Sequence, residues 1–324
     1  MLKRLVATFI WVLIMLPISV FANGVDEEAA QTIVFADLTW DSAMVHNRIV
    51  GFIIEHGLEK NYKAEYLGGA TIPSLTGLSE GDIDIDMESW HSNFQDLYED
   101  LIEKGKIVDL GKNLPDAPQG WYIPRYVLEG DSERGIDPVA PDLDSVADLD
   151  DYAHLFADPE DPKKGLIYLG VSGWAVTEVQ ENFFDEQGLG ASYNKSIPGS
   201  AAALAATMAA AFDRGEPWIG YWWEPTAIMG RLDMVRLPGT ELPPADVNIL
   251  VNPSLLDTAP DIVTILKKYD TTVAVNNEFL LQMETMNTDA EGAAIWFLEN
   301  REDIWLDWVD ADVAARVRDA LASL

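Results

Sequence analysis

Gly220-Tyr221-Trp222-Trp223-Glu224-Pro225 sets two adjacent indoles beside a carboxylate. Indole is a large apolar ring whose single N–H needs a partner when buried. A strand alternates its faces, so Trp222 and Trp223 point opposite ways. One fills the core, and the other, with Tyr221 or Glu224, meets solvent or a ligand. Trp40, Trp90, Trp121 and Trp174 each fall at or just after the end of an expected strand, the end at which α/β folds bind ligands. Indole faces gathered in one cleft suit a quaternary ammonium ion. Such an ion has no N–H to donate, so ordinary hydrogen bonds do not recognise it. Each aromatic face contributes about 0.5–2 kcal/mol of cation–π attraction.

The elements that must position these rings read as alternating strands and helices. A strand over 32–36, a helix over 42–57, a strand over 62–67 and a short helix over 73–80 predict an α/β unit. Gly81 to Trp90 alternates Asp and Ile and predicts a strand ending in a tip that carries Glu88, Trp90 and His91. It lacks the glycine and terminal glutamate of a calcium loop. A helix over 92–104, a strand over 107–110 and a loop over 111–120 follow. The strand over 120–127, with Trp121 and Tyr122, opens a second lobe. Residues 131–165, rich in Asp and Pro, read as a surface excursion. A strand over 166–169 runs into Gly170-Val171-Ser172-Gly173-Trp174, and helices over 175–187 and 200–213 precede a strand over 217–223. Beyond it come short strands near 232–237 and 247–251, helices over 260–268, 276–286 and 290–300, and an amphipathic stretch over 302–323. Trp296, Trp305 and Trp308 read as core.

The chain has 324 residues, 48% of them hydrophobic, enough for two domains with real cores. Lys and Arg number 21 against 55 acidic residues, a net charge of -34. That surface disfavours nucleic acid and anionic lipid as partners, and its simplest reading is a solubility or high-salt adaptation. Residues 1–22, with Lys3 and Arg4, an apolar run and Val20-Phe21-Ala22, read as a secretory signal peptide. The expected mature protein is periplasmic and not inserted in the membrane. There is no cysteine, which excludes disulfides, cysteine metal sites and a lipoprotein anchor. The four histidines, His46, His56, His91 and His154, make no His-Glu-x-x-His pattern, and no nucleophile elbow or phosphate-cradling loop occurs. The chain therefore reads as a non-enzyme without metal or cofactor. The rival is a glycoside hydrolase using Glu88 and Glu224, which would have to face each other across one cleft.

With these marks in order, the sequence resembles the substrate-binding proteins of ABC importers for glycine betaine, proline betaine and choline, over residues 30–312. The residues that carry the likeness are Phe35 to Trp40, Gly81 to His91, Gly120 to Pro124, Leu169 to Trp174 and Gly220 to Pro225. The resemblance implies a periplasmic binding protein fold of type II, with two α/β lobes, two crossovers and a ligand cleft between them. Lobe I is then 26–115 with 228–324, and lobe II is 116–227. It implies a receptor that closes on its ligand by hinge motion, docks on an inner-membrane permease and works as a monomer. An aromatic cage is expected from Trp40, Trp90, Trp121, Trp174 and one of Trp222 and Trp223. His91, Tyr122 and Ser172 are expected donors for the ligand tail. Where betaine-binding members often place a histidine or other donor, this chain has Glu224; with Glu88 it favours choline over a ligand carboxylate. A sulfonium osmolyte, carnitine or an amino-acid-derived betaine are the alternative ligands.

Overall fold

The apolar run after Thr32 forms β1 (Gln31–Leu38), with Ile33, Phe35 and Leu38 buried. The computed structural model describes residues 29–239, 242 and 245–324. The expected signal peptide lies outside the described residues. α1 (Asp41–Gly57) follows β1 and buries Val45, Ile49, Val50, Ile53 and Ile54 at helical spacing. It ends at Gly57, where an added Cβ would lie 2.8 Å from Val313 on the helix Ala311–Leu321. β2 (Tyr62–Gly69) pairs in parallel with β1, from Gln31 opposite Tyr62 to Leu38 opposite Gly69. α2 (Thr71–Glu80) leads to β3 (Ile85–Ser89), parallel to β1 on its other side. A 3-10 turn over His91–Phe94 runs into α3 (Gln95–Glu103).

β4 (Val108–Ala117) is longer than the strand over 107–110 that the sequence predicts. The loop expected from Gly111 and Pro115 is absent because β4 is an edge strand, where proline costs no ladder hydrogen bond. The chain then crosses to a second sheet made of β5 (Gln119–Pro124), β6 (Gly165–Tyr168), β7 (Tyr193–Ser196), β8 (Gly220–Trp223) and β9 (Met234–Arg236). β10 (Ala245–Val251) returns to the first sheet, antiparallel to both β3 and β4. The two five-stranded sheets have the orders β2-β1-β3-β10-β4 and β7-β6-β8-β5-β9. Each forms one lobe of a mixed α/β fold.

The return crossover comes later than the boundary at 227 expected from sequence. Residues Ala227–Gly230 form a 3-10 turn packed on the first-lobe helix Val273–Met286, and Arg231 pairs with Glu284 at 3.6 Å. The chain then goes back for one more strand, since β9 pairs with β5 from Tyr122 opposite Arg236 to Pro124 opposite Met234. The second sheet therefore extends to Arg236. The stretch over 302–323 divides into the helices Glu302–Trp305 and Ala311–Leu321. Trp305 and Trp308 are core as expected, and Trp296 is partly buried against the same core.

Candidate functional site

Three tryptophans sit where a strand gives way to a helix. Trp40 precedes α1, Trp90 precedes the turn His91–Phe94, and Trp174 precedes the helix Ala175–Glu186. Each leaves the carboxyl end of a strand that runs parallel to its sheet neighbour, so the strand direction aims these rings at the space between the lobes. From β8 the alternation of faces delivers Tyr221 and Trp223 to the same space, their rings stacked at 5.9 Å. Gly173, at φ +92, makes the turn before Trp174, and a Cβ there would lie 3.1 Å from that of Ala70 in the first lobe.

These rings line a small, partly open pocket, with Trp40, Trp90, Trp174, Tyr221 and Trp223 joined by Thr71, Asn93, Phe94, Ala175 and Val176. Trp174 meets Trp40 edge-on at 5.9 Å and Trp223 edge-on at 4.9 Å. Edge-on contacts of this kind are the arrangement that the ring quadrupole favours. The walls come from both lobes, which are also bonded directly: the Trp174 indole N–H donates to Thr39 Oγ1 at 2.9 Å. Tyr221 donates its hydroxyl to Gln119 Oε1 at 3.1 Å, and Gln119 donates to Asn93 at 3.1 Å. No basic side chain belongs to the lining, so the cavity offers aromatic faces and a small polar edge.

Glu88 stands behind this wall rather than in it. It is fully buried on β3, and its Oε1 accepts three hydrogen bonds: from the Trp40 indole at 3.0 Å, the Trp90 indole at 3.1 Å and the Ser42 hydroxyl at 3.0 Å. Burial pushes its carboxyl up to about 7, against the lowering effect of those three donors and with help from the neighbouring Asp86 charge. Burial raises Asp86 to about 7 as well, and Asp86 accepts the Glu88 backbone N–H at 3.0 Å.

Of the other residues singled out by sequence, Trp121 does not reach the cavity. It is packed inside the second lobe, edge-on to Phe183 at 5.4 Å, with its indole N–H on Gln180 Oε1 at 3.3 Å. Trp222 packs on Trp223 with ring centroids 4.8 Å apart and donates to Thr226 Oγ1 at 2.7 Å. It borders a wider, open cleft with Asp41, Arg231, Glu284 and the alanines of the helix Ala201–Arg214. Trp40 and Trp223 line both spaces and so form the partition between them. Tyr122 and Glu224 are hydrogen-bonded to each other beside Arg236, away from the cavity lining. Burial raises the Glu224 carboxyl, opposed by Arg236. His91 stacks on Tyr98 at 4.4 Å and bonds Gln95, and the exposed Ser172 gives its backbone N–H to Pro198. Neither lines the cavity. Glu88 and Glu224 therefore do not face a shared substrate space. Sequence reasoning left Thr71, Asn93, Phe94, Ala175 and Val176 out of the lining and named Tyr221 only as an alternative to Glu224 beside the outward-facing tryptophan. Tyr221 alone had a signal, its place two residues before Trp223 on one strand.

The family of substrate-binding domains of ABC-type glycine betaine transport systems matches residues 31–300. Among solved structures, the glycine betaine, L-proline-binding protein ProX from Borrelia burgdorferi is similar with a TM-score of 0.73 at 20% identity, over 89% of this chain and 100% of that one. A choline-binding protein of an ABC transporter in complex with choline gives 0.72 at 19%, over 90% and 98%. Lactococcal OpuAC in its closed conformation with glycine betaine gives 0.71 at 15%, over 86% and 100%. At these identities the likenesses show the fold, that of a type II periplasmic binding protein, and these neighbours are binding proteins rather than enzymes. No helix among the described residues is long and apolar enough to cross a membrane. The chain belongs to the family of substrate-binding domains of ABC-type glycine betaine transport systems, the extracytoplasmic receptors that bind a small ligand and deliver it to a permease.

Proposed function

We propose that the cavity between Trp40, Trp90, Trp174, Tyr221 and Trp223 is the ligand site and that its ligand carries a quaternary ammonium head, as choline and the betaines do. The observation that carries this reading is the set of aromatic faces drawn from both lobes around one small space with no basic side chain in its lining. A trimethylammonium group is attracted to such faces through its methyl surface and its charge together. Thr71 and Asn93 are the side chains placed to meet the hydroxyl or carboxylate at the other end. Trp121, Trp222, Tyr122, Glu224, His91 and Ser172 take no direct part.

The role in transport follows from closure. A ligand that touches rings of both lobes favours the state in which the lobes meet, and only differential affinity for that state can shift the equilibrium. The loaded, closed receptor is then the form offered to an inner-membrane permease after export to the periplasm.

Calorimetry and tryptophan fluorescence against choline, glycine betaine, proline betaine, carnitine and a sulfonium osmolyte, each beside its unmethylated or primary-amine analogue, test the reading. A methylated cation is expected to bind at least about tenfold more tightly than its primary-amine partner, since cation–π contact with several desolvated faces distinguishes them. Absence of binding by every methylated cation, with protein that is folded and free of carried-over ligand, overturns it.

A further inference from the structure

Among the described residues, Glu88 is a buried carboxylate with no ion-pair partner. The charge acting on it is that of Asp86, which has the same sign. Its Oε2 is buried with no hydrogen-bond partner among the described residues, while its Oε1 takes all three donors. Buried charges are ordinarily paired, because an isolated one is costly in a low-dielectric interior. Two of the donors are the indole N–H groups of Trp40 and Trp90, whose ring systems form one side of the cavity. The second-lobe wall is built differently: Trp174 gives its N–H to the neutral hydroxyl of Thr39.

An indole N–H belongs to the same π system as the ring face. A hydrogen bond to an ionised acceptor is stronger than one to a neutral group, and it polarises the donor. Electron density is pushed from the N–H toward the ring, so the face turned to the cavity becomes more negative. One carboxylate bonded to two indoles does this twice, with no water in between to screen it.

We propose that Glu88 is the counter-charge of the aromatic box: it acts on a bound cation through the indoles of Trp40 and Trp90 and sets the preference for a cation over a neutral molecule of the same shape. The proposal deepens the reading of the cavity as a quaternary ammonium site and rests on it. Glu88 is a positioning and specificity residue that never touches the ligand. The ligand supplies the positive charge that the first lobe lacks around this carboxylate.

The test pairs choline with its tert-butyl analogue, in which carbon replaces the cationic nitrogen and shape is kept. Glu88→Gln keeps an amide oxygen that can accept from the same donors, removes the charge and places an NH2 where the unpartnered Oε2 stands. Its choline affinity is expected to fall about five- to tenfold, while the tert-butyl analogue changes less than about twofold, the margin between charged and neutral hydrogen bonding. An equal loss for both ligands, or no loss for choline, overturns the proposal and assigns Glu88 to holding ring positions alone. If the wild-type protein binds no methylated cation at all, the reading of the cavity fails and takes this one with it.

A second measurement needs no variant. The titratable groups around Glu88 are Asp86 on its own strand, Tyr269 ahead of the helix Val273–Met286, and His46 one turn beyond Ser42 on α1. His46 stays neutral to about 3 and Tyr269 protonated above 10, so between about pH 5.5 and 8.5 the Asp86–Glu88 pair is what titrates here. The choline-to-analogue affinity ratio is expected to fall as pH drops through that interval. Asp86→Asn should keep the fall and move its midpoint to lower pH, because the like charge is gone. A ratio that stays flat in the wild-type protein from that interval down to the lowest pH at which it remains folded overturns the proposal.

Discussion

The first lobe holds two aromatic clusters of similar make-up. One is the cleft group of Trp40, Trp90, Trp174, Tyr221 and Trp223, shared with the second lobe. The other is the core group of Tyr269, Phe279, Phe297, Trp305 and Trp308 around His46. In the core, Tyr269 lies 4.0 Å from Trp308, Phe297 stacks on Trp308 at 5.9 Å and Phe279 meets Phe297 edge-on at 6.1 Å. Every polar atom there has a neighbour: Trp305 donates to Leu298 O at 2.8 Å, and Trp308 to Asp270 at 3.3 Å. His46 is bonded at both nitrogens, to Tyr269 at 2.6 Å and to Asn276 at 2.8 Å. Asn276 spends its amide hydrogens on Thr271 and Thr272, so its oxygen accepts from His46 Nε2, and Nδ1 accepts from Tyr269. The cleft tryptophans keep 6 to 8% of their surface where Trp305 and Trp308 keep 0 and 1%. That sliver faces a cavity, and the titratable group behind it has an oxygen left over. Burial alone does not separate a core from a site; unused surface and unused bonding capacity do.

Substitutions that treat the two clusters alike should therefore have different consequences. The largest effect is expected from Trp308→Ala, which should cost about 3–5 kcal/mol of stability as a core cavity and leave ligand affinity of the folded fraction unchanged. Trp121→Ala should behave the same way, since its ring is second-lobe core. Denaturant unfolding with calorimetry separates the two quantities, and a loss of affinity in Trp121→Ala without a loss of stability would contradict its placement. Trp90→Ala comes next and should show the reverse: about 2–3 kcal/mol lost in binding a quaternary cation, as for a buried anchor, with a smaller change in unfolding midpoint.

The buried titratable groups sharpen the contrast through pH. Burial lowers His46 from 6.5 to about 3, so between those values the unfolded chain holds a proton that the folded one refuses, and stability falls as pH drops through that window. Glu88 is raised from 4.5 to about 7, so the folded protein holds the extra proton. Its stabilising share is complete below 4.5 and is lost as pH rises through 7. Glu88→Gln should thus gain on the wild-type protein between about pH 5 and 7.5, by roughly 2–3 kcal/mol. Urea unfolding at both pH values checks this, and a constant difference counts against it. The smallest effect is expected at Glu224→Gln. Its carboxyl is engaged with Tyr122 and Arg236, so the choline-to-betaine preference should move less than about twofold. A larger change would return Glu224 to the ligand.

Sequence was informative where a period was long and unbroken. β1 and α1 were legible from apolar spacing, β2 from the Gly68-Gly69 break that ends it, and Trp40, Trp90 and Trp174 from their place at strand ends. The same argument misplaced Trp121, because β5 is antiparallel to β8 and carries Trp121 within the strand rather than at its tip. β7, with the sequence Tyr-Asn-Lys-Ser, was not legible: it is short, polar and at an edge. β4 hid behind Gly111 and Pro115. The role of Glu88 could not be read at all, since two of its three donors lie more than forty residues away along the chain. The choice between Trp222 and Trp223 needed the phase of β8, which only the pairing with β5 sets.

The indole of Trp174 reaches across to Thr39, and the box is complete only while that reach is made. A guest held by rings of both lobes cannot leave faster than the lobes part. Such a receptor works as a latch with a delay. How long it stays shut decides how many encounters with the membrane a loaded molecule makes before it empties.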